Sequence, residues 1–210
     1  MGNTSRARGG PVDSPFALPT GLLGHLAGLF MLVTNRQAEL LPCLGIRPGE
    51  HVLEVGYGPG GLLRLLGRTP AARVCGVDPS PEMRSQATRR AKEADVRVGT
   101  AEDTGFPGES FDCVVAVNNV ALWPDLDAGL RELRRVTRPG GRVVIAWHGG
   151  ASPSLIARHL LLSEDELARI RRALEETFDE VERKELKSLT VFRARVIAHG
   201  DGPGIPRASG

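Results

Sequence analysis

The sequence predicts a doubly wound α/β domain built on a mostly parallel sheet. Three observations carry this expectation: valine-rich runs alternate with longer segments of helical spacing, the runs are continuously apolar, and the connections are long enough for right-handed crossovers. The runs stand at 51–56 (HVLEVG), 73–78 (RVCGVD), 96–102 (VRVGTAE), 111–118 (FDCVVAVN) and 141–148 (GRVVIAWH), five candidate strands. Helical spacing fills 60–66, 80–94 and 126–136, whereas 103–110 holds only a shorter turn. A further helix opens at Ser163, which has capping-box spacing to Glu166. Segments 180–186 and 189–198 are separated by so short a turn that they must pair as an antiparallel hairpin.

A length of 210 residues fits one domain. The expected organisation is a disordered tail at 1–15, a single domain at 16–199 whose first part, 16–45, forms a helical lid or cap, and a flexible tail at 200–210. Twenty-seven basic against 25 acidic residues give a net charge of +2, too small a field to grip nucleic acid or a membrane surface without specificity. Three cysteines, Cys43, Cys75 and Cys113, lie in no CxxC or metal-ligand spacing, so no disulfide framework and no metal is expected, and the natural location is the cytoplasm. The longest apolar stretch, 21–33, contains His25 and is shorter than the ~20 residues that span a bilayer. The first ten residues have no hydrophobic signal core, and Arg6 breaks the myristoylation pattern.

The stretch Val52-Leu53-Glu54-Val55-Gly56-Tyr57-Gly58-Pro59-Gly60-Gly61 carries the most chemical information. A buried strand delivers the chain to a turn whose missing side chains let the backbone approach a ligand, and a helix starts behind it. Gly56, Gly58 and Gly61 satisfy G-x-G-x-x-G, a pattern that by itself fits a dinucleotide as well as another adenosine cofactor. Glu54 favours the second on charge, since a carboxylate there would repel a pyrophosphate and attract a cation. Asp78 ends the second run 22 residues after Gly56, where a carboxylate can accept both hydroxyls of a ribose. Pro79-Ser80-Pro81-Glu82 then reads as a helix N-cap with an early proline and acid.

Five ordered segments, Glu54 to Gly60, Val77 to Ser80, Ala101-Glu102-Asp103, Phe111 to Val115 and Arg138 to Arg142, resemble the motifs of class I S-adenosylmethionine (SAM)-dependent methyltransferases, in particular the small-molecule "methyltransferase domain" (type 11-like) subgroup. The resemblance spans about residues 36–198. It implies a Rossmann-like seven-stranded sheet, mostly parallel with an antiparallel last strand, in agreement with the hairpin read from the residues. It also implies SAM as cofactor and S-adenosylhomocysteine as product. Gly56, Tyr57, Gly58 and Gly60 would line the methionine and ribose part, Asp78 would take the ribose hydroxyls, and Pro79 and Met83 would stand near the adenine. Thr100 occupies a position where the family commonly has an acid, which leaves adenine contacts to Ala101 and Glu102. Asn118 would close over the methionine, and Asn119 to Trp123 would begin the substrate side.

Methyl transfer is an in-line displacement that needs no protein nucleophile, so the missing Ser-His-Asp or Cys-His constellation says nothing against it. Where the acceptor must lose a proton, a histidine is the natural base. His148, at the carboxyl end of the fifth run, and His25, in the N-terminal apolar segment, are the candidates, while His51 enters the first run at the opposite edge. Leu22, Leu26, Phe30, Leu122 and Trp123 favour a small hydrophobic or aromatic substrate, and a homodimer through the N-terminal helical segment is compatible. The competing readings are an NAD(P)-dependent oxidoreductase, a nucleic-acid methyltransferase, and a SAM-binding protein without turnover. The first lacks a Tyr-x-x-x-Lys pair, since Tyr57 is the sole tyrosine, and the second lacks an Asn/Asp-Pro-Pro-aromatic motif after the fourth run.

Overall fold

A computed structural model describes residues 37–153 and 156–197. Both expected tails, and the lid segment up to residue 36 with His25 and Phe30, lie outside the described residues. A 3-10 turn (Gln37–Leu40) leads into α1 (Leu41–Leu44), followed by β1 (His51–Val55), α2 (Gly61–Leu66), β2 (Arg73–Asp78), α3 (Pro81–Arg90) and β3 (Asp95–Val98). Then come β4 (Phe111–Val117), α4 (Leu126–Val136), β5 (Thr137–His148), α5 (Glu164–Thr177), β6 (Val181–Glu185) and β7 (Leu189–Arg195). Among the described residues, no helix is long and apolar enough to cross a membrane.

The seven strands form one sheet in the order β3-β2-β1-β4-β5-β7-β6. All pairs are parallel except those made by β7, which runs antiparallel to β5 and to β6. The expected doubly wound sheet with an antiparallel last strand is therefore present. Its central strands are buried on both faces, as their unbroken apolar runs require. Leu40, Leu44, Leu62, Leu63, Leu66, Met83 and Ala87 cover one face. Leu130, Leu133 and Val136 of α4 and Leu167, Ile170 and Leu174 of α5 cover the other.

Local chemistry sets the helix starts. Ser80 caps α3, its Oγ accepting the Met83 N–H at 3.3 Å, and Asp125 caps α4 by accepting the Ala128 N–H at 2.9 Å. The capping box of α5 is formed as expected, with Ser163 N–H on Glu166 Oε2 at 2.7 Å and Glu166 N–H on Ser163 Oγ at 3.3 Å.

Two boundaries differ from the sequence expectation. The third strand stops at Val98, because the chain turns out of the sheet edge where Thr100 N–H reaches the Asp103 carbonyl at 3.0 Å. The fifth begins at Thr137, directly out of α4, so Gly140-Gly141 is an irregularity inside the strand and not a turn before it. A side chain on Gly141 would stand 2.7 Å from Thr137 Cγ2 and 2.8 Å from the Arg138 carbonyl, which is why the chain needs a glycine there.

At the amino end of the sheet, the buried guanidinium of Arg142 gathers the connections. It donates to the carbonyls of Leu44 at 2.6 Å and Gly45 at 3.0 Å, and to Glu50 Oε1 at 2.9 Å and Oε2 at 2.7 Å. The bond from Arg142 holds the Glu50 carboxyl below its usual range. Replacing Arg142 by Met strands this half-buried acid and two carbonyls, so Arg142→Met is expected to lower stability by about 3 kcal/mol in urea titration at neutral pH. Since Glu50's folded pKa is lowered, its stabilisation is present above the ordinary glutamate range and is lost as pH falls through the lowered value. The deficit of the variant should therefore shrink in acid.

Candidate functional site

From β1 the chain crosses to β2 on one side, and from β4 it crosses to β5 on the other. The carboxyl ends of β1 and β4 thus frame a crevice, the position at which doubly wound sheets take ligands. The glycine loop leaves β1 at this point, with Gly56, Gly58 and Gly60 at φ of +71°, +51° and +80°. Side chains other than glycine resist that left-handed region. Gly56 N–H donates to the Val77 carbonyl at 2.7 Å, which lays the loop against the end of β2. A methyl group on Gly60 would stand 2.8 Å from Ala87 Cα, so the loop also presses on α3.

Asn119 staples the two sides of the crevice. Its Nδ2 donates to the carbonyls of Val55 at 2.7 Å and Gly56 at 3.3 Å, and its Oδ1 accepts the Trp123 indole N–H at 3.1 Å. A Cβ on Gly56 would collide with that amide. Trp123 lies 9% exposed, its ring so close to Gly129 that a Cβ there would be 2.6 Å from Cε3. Asn119 and Trp123, expected to begin the substrate side, stand beside the crevice with these partners. Hydrogen bonding and packing commit both side chains to the frame.

Beneath the loop lie two acids. Asp78, 7% exposed, accepts Gly58 N–H on Oδ2 at 2.8 Å and Ser80 N–H on Oδ1 at 2.9 Å. Burial pushes its carboxyl up, and these two bonds pull it back. A carboxylate has about four lone-pair sites, so Asp78 retains capacity for two further donors. Glu54 is 1% exposed. Burial first, and then the charge of Asp78, push its carboxyl well above the usual range, against one opposing bond from the Leu63 N–H. Neither acid belongs to any ion pair among the described residues. Two buried carboxyls without a cation make the crevice complementary to a positively charged ligand.

The remaining predicted positions divide. Pro79 is exposed next to Asp78, and Thr100 is exposed with its Oγ1 accepting the Asp103 N–H at 3.1 Å. Ala101 is buried, and Glu102 accepts the Asp125 N–H at 3.3 Å at the start of α4. Asn118 takes φ of +56° and donates its N–H to the Ala146 carbonyl of the neighbouring β5 at 2.8 Å. Tyr57 and Met83 are each 2% exposed and pack in the core. Tyr57 turns its ring toward Gly76 and donates its hydroxyl to the Arg97 carbonyl at 3.0 Å, which leaves only its main chain in the loop. The Tyr57 and Met83 side chains, both expected near the cofactor, are buried among core residues. His51 sits at the far end of the sheet, where its main-chain N–H donates to Asp112 at 2.7 Å.

His148 closes β5 at the ligand edge, 8% exposed, and burial lowers its pKa to about 4. It is a neutral imidazole at physiological pH. The loop that follows is gripped by the turn between β6 and β7, through Gly149 N–H on the Ser188 carbonyl at 3.1 Å and Ala151 N–H on Leu186 at 2.8 Å. The same turn holds Glu39, whose Oε1 accepts the Ser188 N–H at 3.0 Å. Sequence reading missed this clamp. Its one signal was the pair Gly149-Gly150, since Gly150 has φ of +76° and a side chain there would strike the Leu186 carbonyl.

With this geometry in hand, the chain can be set beside known proteins. The family model for the methyltransferase domain matches residues 53–145. The Bacillus subtilis protein named uncharacterized methyltransferase YdaC is 34% identical over 125 residues, which cover 57% of this chain and 69% of that protein. The demethylmenaquinone methyltransferase of Tropheryma whipplei is 38% identical over 104 residues, 49% of this chain and 43% of that enzyme, so this chain spans less than half of its length. A SAM-dependent methyltransferase of Aquifex aeolicus shares the fold, with a TM-score of 0.62 at 21% identity over 80% of this chain and 93% of that one.

The neutral state of His148 has a measurable consequence. Its folded pKa of about 4 lies below the ordinary value of 6.5, so the unfolded chain takes up the proton first and stability falls as pH drops from the higher value to the lower. The full loss is about 3 kcal/mol. His148→Gln should flatten this part of the stability profile in urea titrations, and an unchanged slope would show that another group causes it.

Proposed function

We propose that this chain, which belongs to the methyltransferase domain family and takes S-adenosylmethionine as its cofactor, transfers a methyl group to a small hydrophobic or aromatic metabolite. The observation that carries the reading is Asp78. Its carboxylate shapes the glycine loop through Gly58 N–H at 2.8 Å and still has room for the two hydroxyls of a ribose.

The residues present fit the cofactor on two counts. Glu54 Oε2 is a buried oxygen without a hydrogen-bond partner, suited to a cationic ligand. The three positive-φ glycines leave the loop free of side chains on its open side. Gly56, Gly58 and Gly60 would flank the methionine part, Asp78 the ribose, and Pro79, Thr100, Ala101 and Glu102 the adenine. Once bound, SAM supplies an electrophilic methyl carbon and a neutral leaving group. The chain's own contribution is positioning and exclusion of water. His148, neutral above about pH 5, can accept a hydrogen bond from the acceptor molecule. Its imidazolium is costly where it is buried, so it orients the acceptor more readily than it removes a proton.

Two features support a small apolar acceptor. The loops after β4 and β5 are short, which leaves little protein to build a large substrate domain, and one relative is named for demethylmenaquinone. A net charge of +2 gives no general affinity for nucleic acid. His25 and Phe30 would belong to the cover over the acceptor, and the segment that holds them could also pair two copies of the chain.

Calorimetric titration is expected to show binding of SAM and S-adenosylhomocysteine in preference to NADH; tighter binding of NADH would sink the cofactor assignment. Asp78→Ala should weaken SAM at least tenfold, as loss of charge-assisted bonds worth roughly 1.5–3 kcal/mol requires. For the acceptor, labelled SAM incubated with the protein and a metabolite extract should yield a labelled apolar product by mass spectrometry. Labelling of nucleic acid instead would overturn the substrate class.

A further inference from the structure

Among the described residues, Glu54 Oε2 is the only buried carboxylate oxygen without a hydrogen-bond partner. Strand alternation turns Glu54 toward α2, whose Leu63 N–H supplies its single backbone bond. The residues beside it in register, Gly76 on β2 and Val115 on β4, offer no polar side chain. The titratable groups that act on it are Asp78, at the end of β2, and the buried Tyr57 phenol, and neither is a cation. Asp78 differs, because two main-chain N–H groups at 2.8 and 2.9 Å stabilise its ionised form. Two acids in one dry site with unequal hydrogen bonding divide their roles, the poorly bonded one keeping its proton.

We propose that Glu54 is the residue by which this site distinguishes the sulfonium cofactor from its neutral product. With the loop empty or holding a thioether, Glu54 remains a carboxylic acid. A cation in the loop expels that proton to solvent and pairs with the carboxylate left behind. When the methyl group passes to the acceptor, the C–S bonding pair stays on sulfur as a neutral thioether, the acceptor sheds its proton where it has one, and Glu54 recovers a proton from water. S-adenosylmethionine and S-adenosylhomocysteine share their amino and carboxyl groups, so the sulfur charge is the difference that Glu54 reads. The inference rests on the methyltransferase reading above and adds a proton to its binding step.

The test is calorimetry of the full chain with each ligand, in buffers of different ionisation enthalpy, from about pH 5 to about pH 9. SAM is expected to release close to one proton and to bind up to tenfold more tightly per pH unit until Glu54 is ionised in the empty site. S-adenosylhomocysteine should release none at about pH 6, where the amino groups of both ligands, ordinarily titrating at about 7.7–8.0, stay protonated. In Glu54→Gln, checked for folding by circular dichroism, the proton release should vanish and the preference for SAM over the product should narrow at least tenfold at high pH. Equal proton release by the two ligands, or by wild type and Glu54→Gln, would overturn the proposal. The two-ligand comparison decides even if the variant does not fold. Failure of both ligands to bind the wild-type chain would instead overturn the reading on which it rests.

Discussion

The carboxylate of Asp78 is the point on which the ligand end of this sheet depends. It ends β2, takes the Gly58 N–H from the loop after β1, and takes the Ser80 N–H from the residue that caps α3. Without it, the buried Ser80 N–H would lose its partner, a cost of about 1–3 kcal/mol, and the half-buried Gly58 N–H would lose its own. The shape of the loop and the start of α3 both follow from this one side chain. Asn119 does the corresponding work across the crevice, where its amide joins the end of β4 to the carbonyls that end β1. A side chain on Gly56 would displace that amide, which explains why this position must be a glycine for packing as well as for its φ of +71°.

The two ends of the sheet treat charge in opposite ways. At the amino end, Arg142 meets Glu50 and Arg138 meets Asp112, both pairs at 2.7 Å, and the acids there have cationic partners. At the carboxyl end, Glu54 and Asp78 are buried more deeply and have none. Burying an acid without a cation is unfavourable for the folded chain; Asp78 is offset by the Gly58 and Ser80 N–H groups, whereas burial holds the Glu54 carboxyl well above its usual range. The near-neutral total of +2 conceals that contrast, since the charges that matter are local.

Much of this was legible in the sequence because it depends on period and spacing. Unbroken apolar runs marked β1, β2 and β4, the short turn after Leu186 marked the hairpin of β6 and β7, and Ser163 with Glu166 marked the start of α5. Asp78 could be found because a strand end followed by Pro79-Ser80-Pro81 places an acid beside a helix start. Other features depend on which way a side chain turns once the elements pack. Tyr57 lies inside the glycine motif, yet its ring enters the core because Gly76 leaves space for it. Trp123 follows β4 yet closes onto Gly129. Gly140-Gly141 reads as a turn but is absorbed into β5, because Thr137 still pairs with Phe111 of β4 beyond it and Gly140 N–H bonds the Val196 carbonyl at 2.6 Å.

The sequence by itself determined the class of fold, the order of its strands and helices, the glycine loop, and the acids Glu54 and Asp78, because these follow from local patterns and short-range chemistry. Only the tertiary structure decided that Asn119 is a staple, that His148 is held neutral, and that Glu54 has an oxygen left without a partner. Each of these is a statement about burial and about neighbours far away in the chain. Desolvation and partnership are properties of the packed molecule, and no spacing along the chain encodes them.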